Sequence, residues 1–360
     1  MQAFSLPKWT IVAPAVGWLL LGGVAAGLGG AYLWLAAAGL VVTVLAAVHH
    51  AEVVAHRVGE PYGTFVLAIA VTVIEVALIV SLMLSAGPAG TNLARDAVFA
   101  AVMIILTGMI GICMLMGGSR HHEQDFGLHG VSGALVTLAA ISVLTLVLPN
   151  YTVTTPGPYY SAPQLAFIAL VTLVLYIAFA VFQTIRHRDY FLPKAVEPGG
   201  EEEHVPPPPN RIAWISFAMM VVSLAGVVLL AKSLAPALEA VLNRVGAPPA
   251  ILGVIIAAVV LTPESLAAVR AARANRLQTS LNLALGSALA CVGLTIPAVA
   301  VLSLAFGWPL ALGLDAKSTV LLVLALFLST ISLSTGRTTM LQGTVHLVLF
   351  VVYLVITVMP

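Results

Sequence analysis

The chain has 360 residues, 61% of them hydrophobic and only 8% charged, with a formal net charge of +1 and a mean hydropathy of +1.09. Soluble domains carry roughly 25% charged residues, so a water-soluble fold is excluded, and the near-neutral balance excludes a basic surface for nucleic acid. The composition is that of a polytopic helical membrane protein whose immediate partner is the lipid bilayer.

Apolar runs of about 18 to 25 residues recur, the length at which a helix crosses ~30 Å of hydrocarbon. In chain order the predicted spans are residues 9–28, 31–50, 61–85, 97–117, 127–148, 163–185, 212–231, 247–269, 280–304, 317–334 and 338–358. The fold class is therefore all-α, with about eleven transmembrane helices. The first run follows Lys8 and imitates a secretory leader. A second span follows at once, with no small-residue cleavage site before a polar region, so the run reads as a retained helix.

Positive charges set the direction of the spans. With the N-terminus in the cytoplasm, Lys8, Arg57, Arg120, Arg186, Arg188, Lys194, Arg211, Arg270, Arg273, Arg276 and Arg337 fall inside. Arg95, Lys232, Arg244 and Lys317 fall outside, eleven against four, a positive-inside bias. The expected location is a cell membrane, crossed many times, with the C-terminus outside.

The longest polar stretch, residues 186–211, holds Arg186-His187-Arg188, the acidic run Glu201-Glu202-Glu203 and the prolines Pro206 to Pro209. Proline favours an extended spacer, so this stretch reads as a solvated cytoplasmic linker. It divides the chain into an extra N-terminal helix (1–30), a first five-helix repeat (31–185) and a second (212–360).

The two halves carry a common motif. Glu52 to Pro61 and Glu239 to Pro248 both read E-x-x-x-x-R-V-G-x-P at an offset of 187, and Phe126-Gly127-Leu128-His129 matches Leu312-Gly313-Leu314-Asp315 at 186. The helix after the second motif comes five spans later than the helix after the first, an odd step. The units are therefore expected to be inverted, an arrangement that places a substrate site near the midplane on interrupted helices.

Each of those two helices contains one acid, Glu75 and Glu264. Acids within membrane spans are costly and mark ion or proton pathways. Burial and a second carboxyl both favour the protonated form, whereas a divalent cation favours the ionised pair. Calcium accepts six to eight oxygen ligands in flexible geometry. Thr72, Thr262, Ser265 and Ser287 offer hydroxyls nearby. Pro263 withdraws an amide donor and frees a carbonyl of the preceding turn, that of Val259 or Val260. Protons and a cation competing for the same carboxylates produce exchange. The ions are cargo, and no cofactor is implied.

Other polar groups rank below these. Asp96, beside Arg95, opens the fourth span and aligns with Ser280, and Asn282 lies one turn into the ninth; these three and Ser265 are the secondary pathway candidates. Glu52, Glu239, Arg57 and Arg244 read as helix-end ion pairs. His49, His50, His56, His121, His122 and His129 gather toward the cytoplasmic side, where solvation is the default and pH sensing the alternative. Cys113 and Cys291 lie inside apolar runs and read as packing residues. His346 reads as a helix-packing histidine. No H-E-x-x-H or C-x-x-C spacing points to a transition-metal centre.

Three stretches resemble the ChaA-type calcium/proton antiporters of the calcium/cation antiporter superfamily: Val71 to Val80, His121 to Phe126, and Leu261 to Ala290, the last ending in A-L-G-S (Ala284 to Ser287). The resemblance covers nearly the whole chain. It implies an exchanger that expels calcium, or sodium or potassium, against inward protons. It also implies that Glu75 and Glu264 are the essential acids and that Gly286-Ser287 packs helices. The chain departs from the G-N-x-x-E pattern of other members, with Thr72 and Leu261 at the two Asn positions. The expected function is thus Ca2+/H+ antiport by alternating access. A monovalent Na+(K+)/H+ antiporter and, from another class, a gated cation channel are the alternatives. An enzyme is not expected, because neither acid has an intramembrane base or metal triad beside it.

Overall fold

The computed structural model describes residues 6–59, 62–191 and 207–359. Hydrocarbon offers no partner for backbone N–H and C=O groups, so each apolar run closes its bonds within a helix. Among the described residues eleven helices result: α1 Lys8–Ala25, α2 Ala31–Val58, α3 Tyr62–Ala86, α4 Leu93–His121, α5 Leu128–Tyr151, α6 Ala162–Arg186, α7 Asn210–Arg244, α8 Ala250–Arg273, α9 Leu277–Phe306, α10 Ala316–Ser332 and α11 Met340–Val358. The expected count of spans agrees with the structure. The acidic run Glu201 to Glu203 and Pro206 lie outside the described residues.

Two helices run longer than expected. α2 continues through Glu52 to Val58 and α7 through Glu239 to Arg244. The repeated motif is therefore mostly helix. In both halves its glycine follows the overlong helix with positive φ, +76° at Gly59 and +68° at Gly246, a conformation that glycine adopts without the usual steric cost.

Contacts between connecting segments sort the helix ends into two faces. On one face, strand β1 (Glu123–Asp125) pairs antiparallel with β2 (Arg337–Thr339). There Gln124 donates to the Ala272 carbonyl and to Asn275, each at 2.9 Å. On the other face, Arg95 donates to the Gly313 carbonyl at 3.1 Å, and the Leu314 amide donates to the Leu146 carbonyl at 2.8 Å. Each contact joins ends that the charge pattern assigns to one side. The β ribbon departs from a purely helical expectation. Across it Arg337 Nε lies 3.0 Å from Asp125 Oδ1. It follows from this sorting that α3 and α8 cross the bilayer in opposite directions.

The helices pack as a body and a satellite. The main apolar cluster joins α3 to α6 with α8 to α11, and α4 at its centre is almost wholly buried. A separate cluster of Leu20, Ala36, Leu230 and Leu234 binds α1, α2 and α7 together. A third joins that satellite to α3 and α8 through Val44, Ala47, Val48, Ile74, Leu78, Val227 and Val260.

Small residues allow close helix approach, which drives association in lipid. A Cβ at Gly253 of α8 would lie 2.8 Å from the Asp96 carbonyl carbon of α4, and one at Gly343 of α11 would lie 2.5 Å from the Leu115 nitrogen of α4. At residues 104–109 α4 widens into a π-helical turn. The buried His346 ring spans from its Leu106 carbonyl, 2.7 Å from Nδ1, to the Ser332 hydroxyl, 3.1 Å from Nε2.

Candidate functional site

Glu75 is the fourteenth residue of α3 and Glu264 the fifteenth of α8, so each stands near mid-helix. Their residues are only 7% and 5% exposed. The two carboxylates interact electrostatically, and Glu52 of α2 also acts on Glu264. Their helix neighbours Ile74, Leu78 and Val260 belong to the apolar cluster at the seam between body and satellite.

Their hydrogen bonding differs. The Cys291 thiol of α9 donates to Glu75 Oε1 at 2.6 Å. Both carboxylate oxygens of Glu264 are buried and have no hydrogen-bond partner among the described residues. Burying such a group unpaired is costly.

The flanking candidates take distinct positions. Thr72 is buried one turn before Glu75. Thr262 donates its hydroxyl proton to the Ala258 carbonyl at 2.7 Å, leaving lone pairs on the oxygen. α8 stays helical through Pro263, so the expected interruption is confined to the missing amide donor. Ser265 and Ser287 are half-buried. Gly286 does not pack a helix: a Cβ there would meet nothing within 4 Å. The glycine beside Ser287 therefore leaves open space along α9.

Of the secondary candidates, Ser265 adjoins Glu264, and the other three have their contacts elsewhere. Asp96 accepts a hydrogen bond from Arg95 Nε at 2.8 Å and lines a small cavity with Asp315, Lys317, Tyr353 and Ala250. Ala250 precedes Glu264 by fourteen residues, about 21 Å of helix. Ser280 is buried beside Cys113 of α4. Asn282 accepts from Gln278 at 2.9 Å and donates to the Phe191 carbonyl at 2.5 Å, tying the segment after α6 to α9. Glu52 acts on Arg270 of α8 as well as on Glu264. Of the histidines, His50 is fully buried with Nε2 3.0 Å from the Thr10 carbonyl of α1, so solvation does not describe it.

Cys291 is the residue the sequence reading missed. It sits four positions after Ser287, hence on the same helical face, and that spacing was the available signal. Among the described residues no cluster of three or more His, Cys, Asp or Glu side chains is placed to hold a metal ion.

Comparison with known proteins places this geometry. The sequence profile of the sodium/calcium exchanger protein family matches residues 28–185 and 215–359. The chain belongs to that family. Family relatives include the y4hA protein of Sinorhizobium fredii, named as an ionic transporter, which is 49% identical over 331 residues, 91% of this chain and 89% of that one. The sodium-potassium/proton antiporter ChaA of Escherichia coli is 34% identical over 322 residues, covering 89% of this chain and 87% of its own length. Among solved structures, the Ca2+/H+ antiporter protein YfkE superposes with a TM-score of 0.73 at 18% identity, over 98% of this chain and all of that one. The family's membrane fold is thus the fold of this chain, and the resemblance to ChaA-type antiporters holds across most of its length.

Proposed function

We propose that the chain is a secondary cation/proton antiporter of the cell membrane, with its N-terminus in the cytoplasm, and that Glu75 and Glu264 form its exchange site. One observation carries the reading. Two acids are buried at mid-helix on oppositely directed helices, each preceded by the same motif, and both oxygens of Glu264 have no hydrogen-bond partner among the described residues.

The chemistry follows from competition. When both carboxylates hold protons, the site is neutral and tolerates burial. When a cation enters, its charge compensates the two ionised acids, and the hydroxyls of Thr72, Thr262 and Ser287 add oxygen donors. Empty and doubly ionised, the site is penalised by like-charge repulsion in low dielectric. Only the loaded forms are then stable enough to change access, and proton and cation movements are obligatorily opposed.

The packing supports a route for that change. The satellite α1, α2 and α7 has its own apolar cluster and meets α3 and α8 along a seam of small and aliphatic side chains. Sliding along the seam exposes the acids to one face and then the other while the body stays intact. This is alternating access at a fixed site.

The proposed cargo is Ca2+, in keeping with the named activity of YfkE and with the oxygen-only donor set. A second reading, Na+ or K+ for protons, is favoured by the 34% identity to the sodium-potassium/proton antiporter ChaA. It is favoured too by Thr72 and Leu261, which stand where amide ligands are otherwise expected. The test is purified protein in vesicles with an internal pH dye, challenged in turn with Ca2+, Na+ and K+. Saturable proton release driven by Ca2+ supports the first reading, and release driven only by Na+ or K+ supports the second. Cation flux without proton movement points to a channel and overturns both.

A further inference from the structure

We propose that Cys291 is a positioning residue of the cation site, whose thiol holds the Glu75 carboxylate in the orientation that receives the ion. The inference rests on the exchanger reading and deepens it by adding a residue to the site.

Cys291 is fully buried and Glu75 nearly so. A carboxylate removed from water needs hydrogen bonds or a counter-charge. Lysine or arginine at this place would supply a permanent positive charge and would repel the incoming cation. A thiol is a weak, neutral donor. It engages one oxygen, Oε1, at 2.6 Å, and adds no charge. Because a carboxylate is planar, fixing one oxygen also fixes the direction of the other. Cys291 thus orients the acid without competing electrostatically for the ion.

The surroundings point the same way. Along α9, Ser287 lies one turn before Cys291 on the same face, and Gly286 beside it leaves open space. Glu264 of α8 is 5% exposed, has no hydrogen-bond partner for either oxygen among the described residues, and feels the charge of Glu75. A thiol facing a carboxylate in a tightly filled core reads as packing. A thiol facing the acid of an acid pair, beside open space and a second unsatisfied carboxylate, reads as part of a receiving site. The other cysteine, Cys113, is on α4 beside Ser280 and makes a natural internal control.

The test uses full-length protein with Cys113→Ala, so that Cys291 supplies the only S–H signal. In the infrared spectrum its S–H stretch should lie at the low-wavenumber, strongly hydrogen-bonded position. It should move to higher wavenumber in Glu75→Gln and when saturating Ca2+ or Na+ is added, since each weakens the acceptor, and it should vanish in Cys291→Ser. In vesicles, Cys291→Ala should raise the apparent KM for the cation about fivefold, the effect of losing one modest hydrogen bond. Maximal rate should stay within about twofold, and Cys291→Ser, which restores a donor, should recover the KM. An unchanged KM in Cys291→Ala overturns the proposal, as does an S–H band indifferent to Glu75→Gln. If wild-type protein shows no cation-driven proton flux, the exchanger reading falls instead. The response of the S–H band to Ca2+ and Na+ then decides by itself whether Cys291 faces a cation.

Discussion

Glu75 of α3 and Glu264 of α8 come within electrostatic reach of each other although 189 positions separate them in the chain. Their helices cross the bilayer in opposite directions, so the pair is assembled from two faces at once. Neither half of the chain holds both acids. On the proposed exchange reading each acid is necessary, which gives the first prediction.

Glu75→Gln and Glu264→Gln keep the shape of the side chain but remove its charge. Each should reduce cation-driven proton flux by at least about 100-fold, because a buried cation loses a full compensating charge. Thermal melting in detergent should show both variants folded. Wild-type flux in either variant contradicts the shared site.

On the proposed competition of proton and cation for the same oxygens, the apparent KM for the cation should rise as the pH falls, with the maximal rate less affected. The sign follows from mass action: lower pH fills the carboxylates with protons and leaves fewer sites in the ionised form that the cation requires. Initial rates measured at several pH values, with cation concentration varied at each, provide the check. A KM independent of pH would mean separate sites.

Glycines that look alike in sequence should behave differently. Gly343→Val places atoms against the Leu115 backbone and should destabilise the α4–α11 contact by about 1–3 kcal/mol, the usual cost of overpacking. Gly286→Ala meets open space and should leave the melting temperature unchanged. Gly286→Leu should fill that space and slow turnover in a folded protein. Melting curves paired with transport assays separate the two effects.

His346 bridges the π-helical turn of α4 and the end of α10. His346→Leu leaves the Leu106 carbonyl and the Ser332 hydroxyl without this partner in the interior and should cost about 1–3 kcal/mol. His346→Gln, which can donate to one of them, should recover part of that loss. The readout is the midpoint of unfolding in a mild denaturing detergent series.

The orientation is testable through the β ribbon. Asp125 and Arg337 are register partners with exposed side chains, 56% and 66%. Cysteines placed at both positions, in a chain with Cys113→Ala and Cys291→Ser, should cross-link on oxidation. Singly, each should react with a membrane-impermeant maleimide in inside-out vesicles but not in intact spheroplasts. The opposite labelling pattern would reverse the proposed topology.

Some of this was legible before any coordinates. Eleven apolar runs of membrane-spanning length yield eleven helices, because hydrocarbon leaves a continuous apolar segment few other ways to bond its backbone. The alternation of charge sorted the helix ends correctly into two faces. The length of α2 and α7 was misjudged, since helices continue past the apolar run when their polar turns overhang the membrane. The β ribbon was not anticipated either, because the pairing of Gln124 with Thr338 links loops more than 200 residues apart and leaves no local pattern.

The sequence by itself determined the membrane setting, the repeated motif and the two acids, for these depend on composition and spacing, which are properties of the chain read in one dimension. Only the tertiary structure decided what stands beside each acid. It paired Cys291 with Glu75, left Glu264 without a hydrogen-bond partner, set Gly286 against open space rather than a helix, and kept Asp96 at a distant cavity. Which side chains meet across a seam depends on the rotation and depth of helices from both halves, and hydrophobic runs of similar composition do not encode that choice locally.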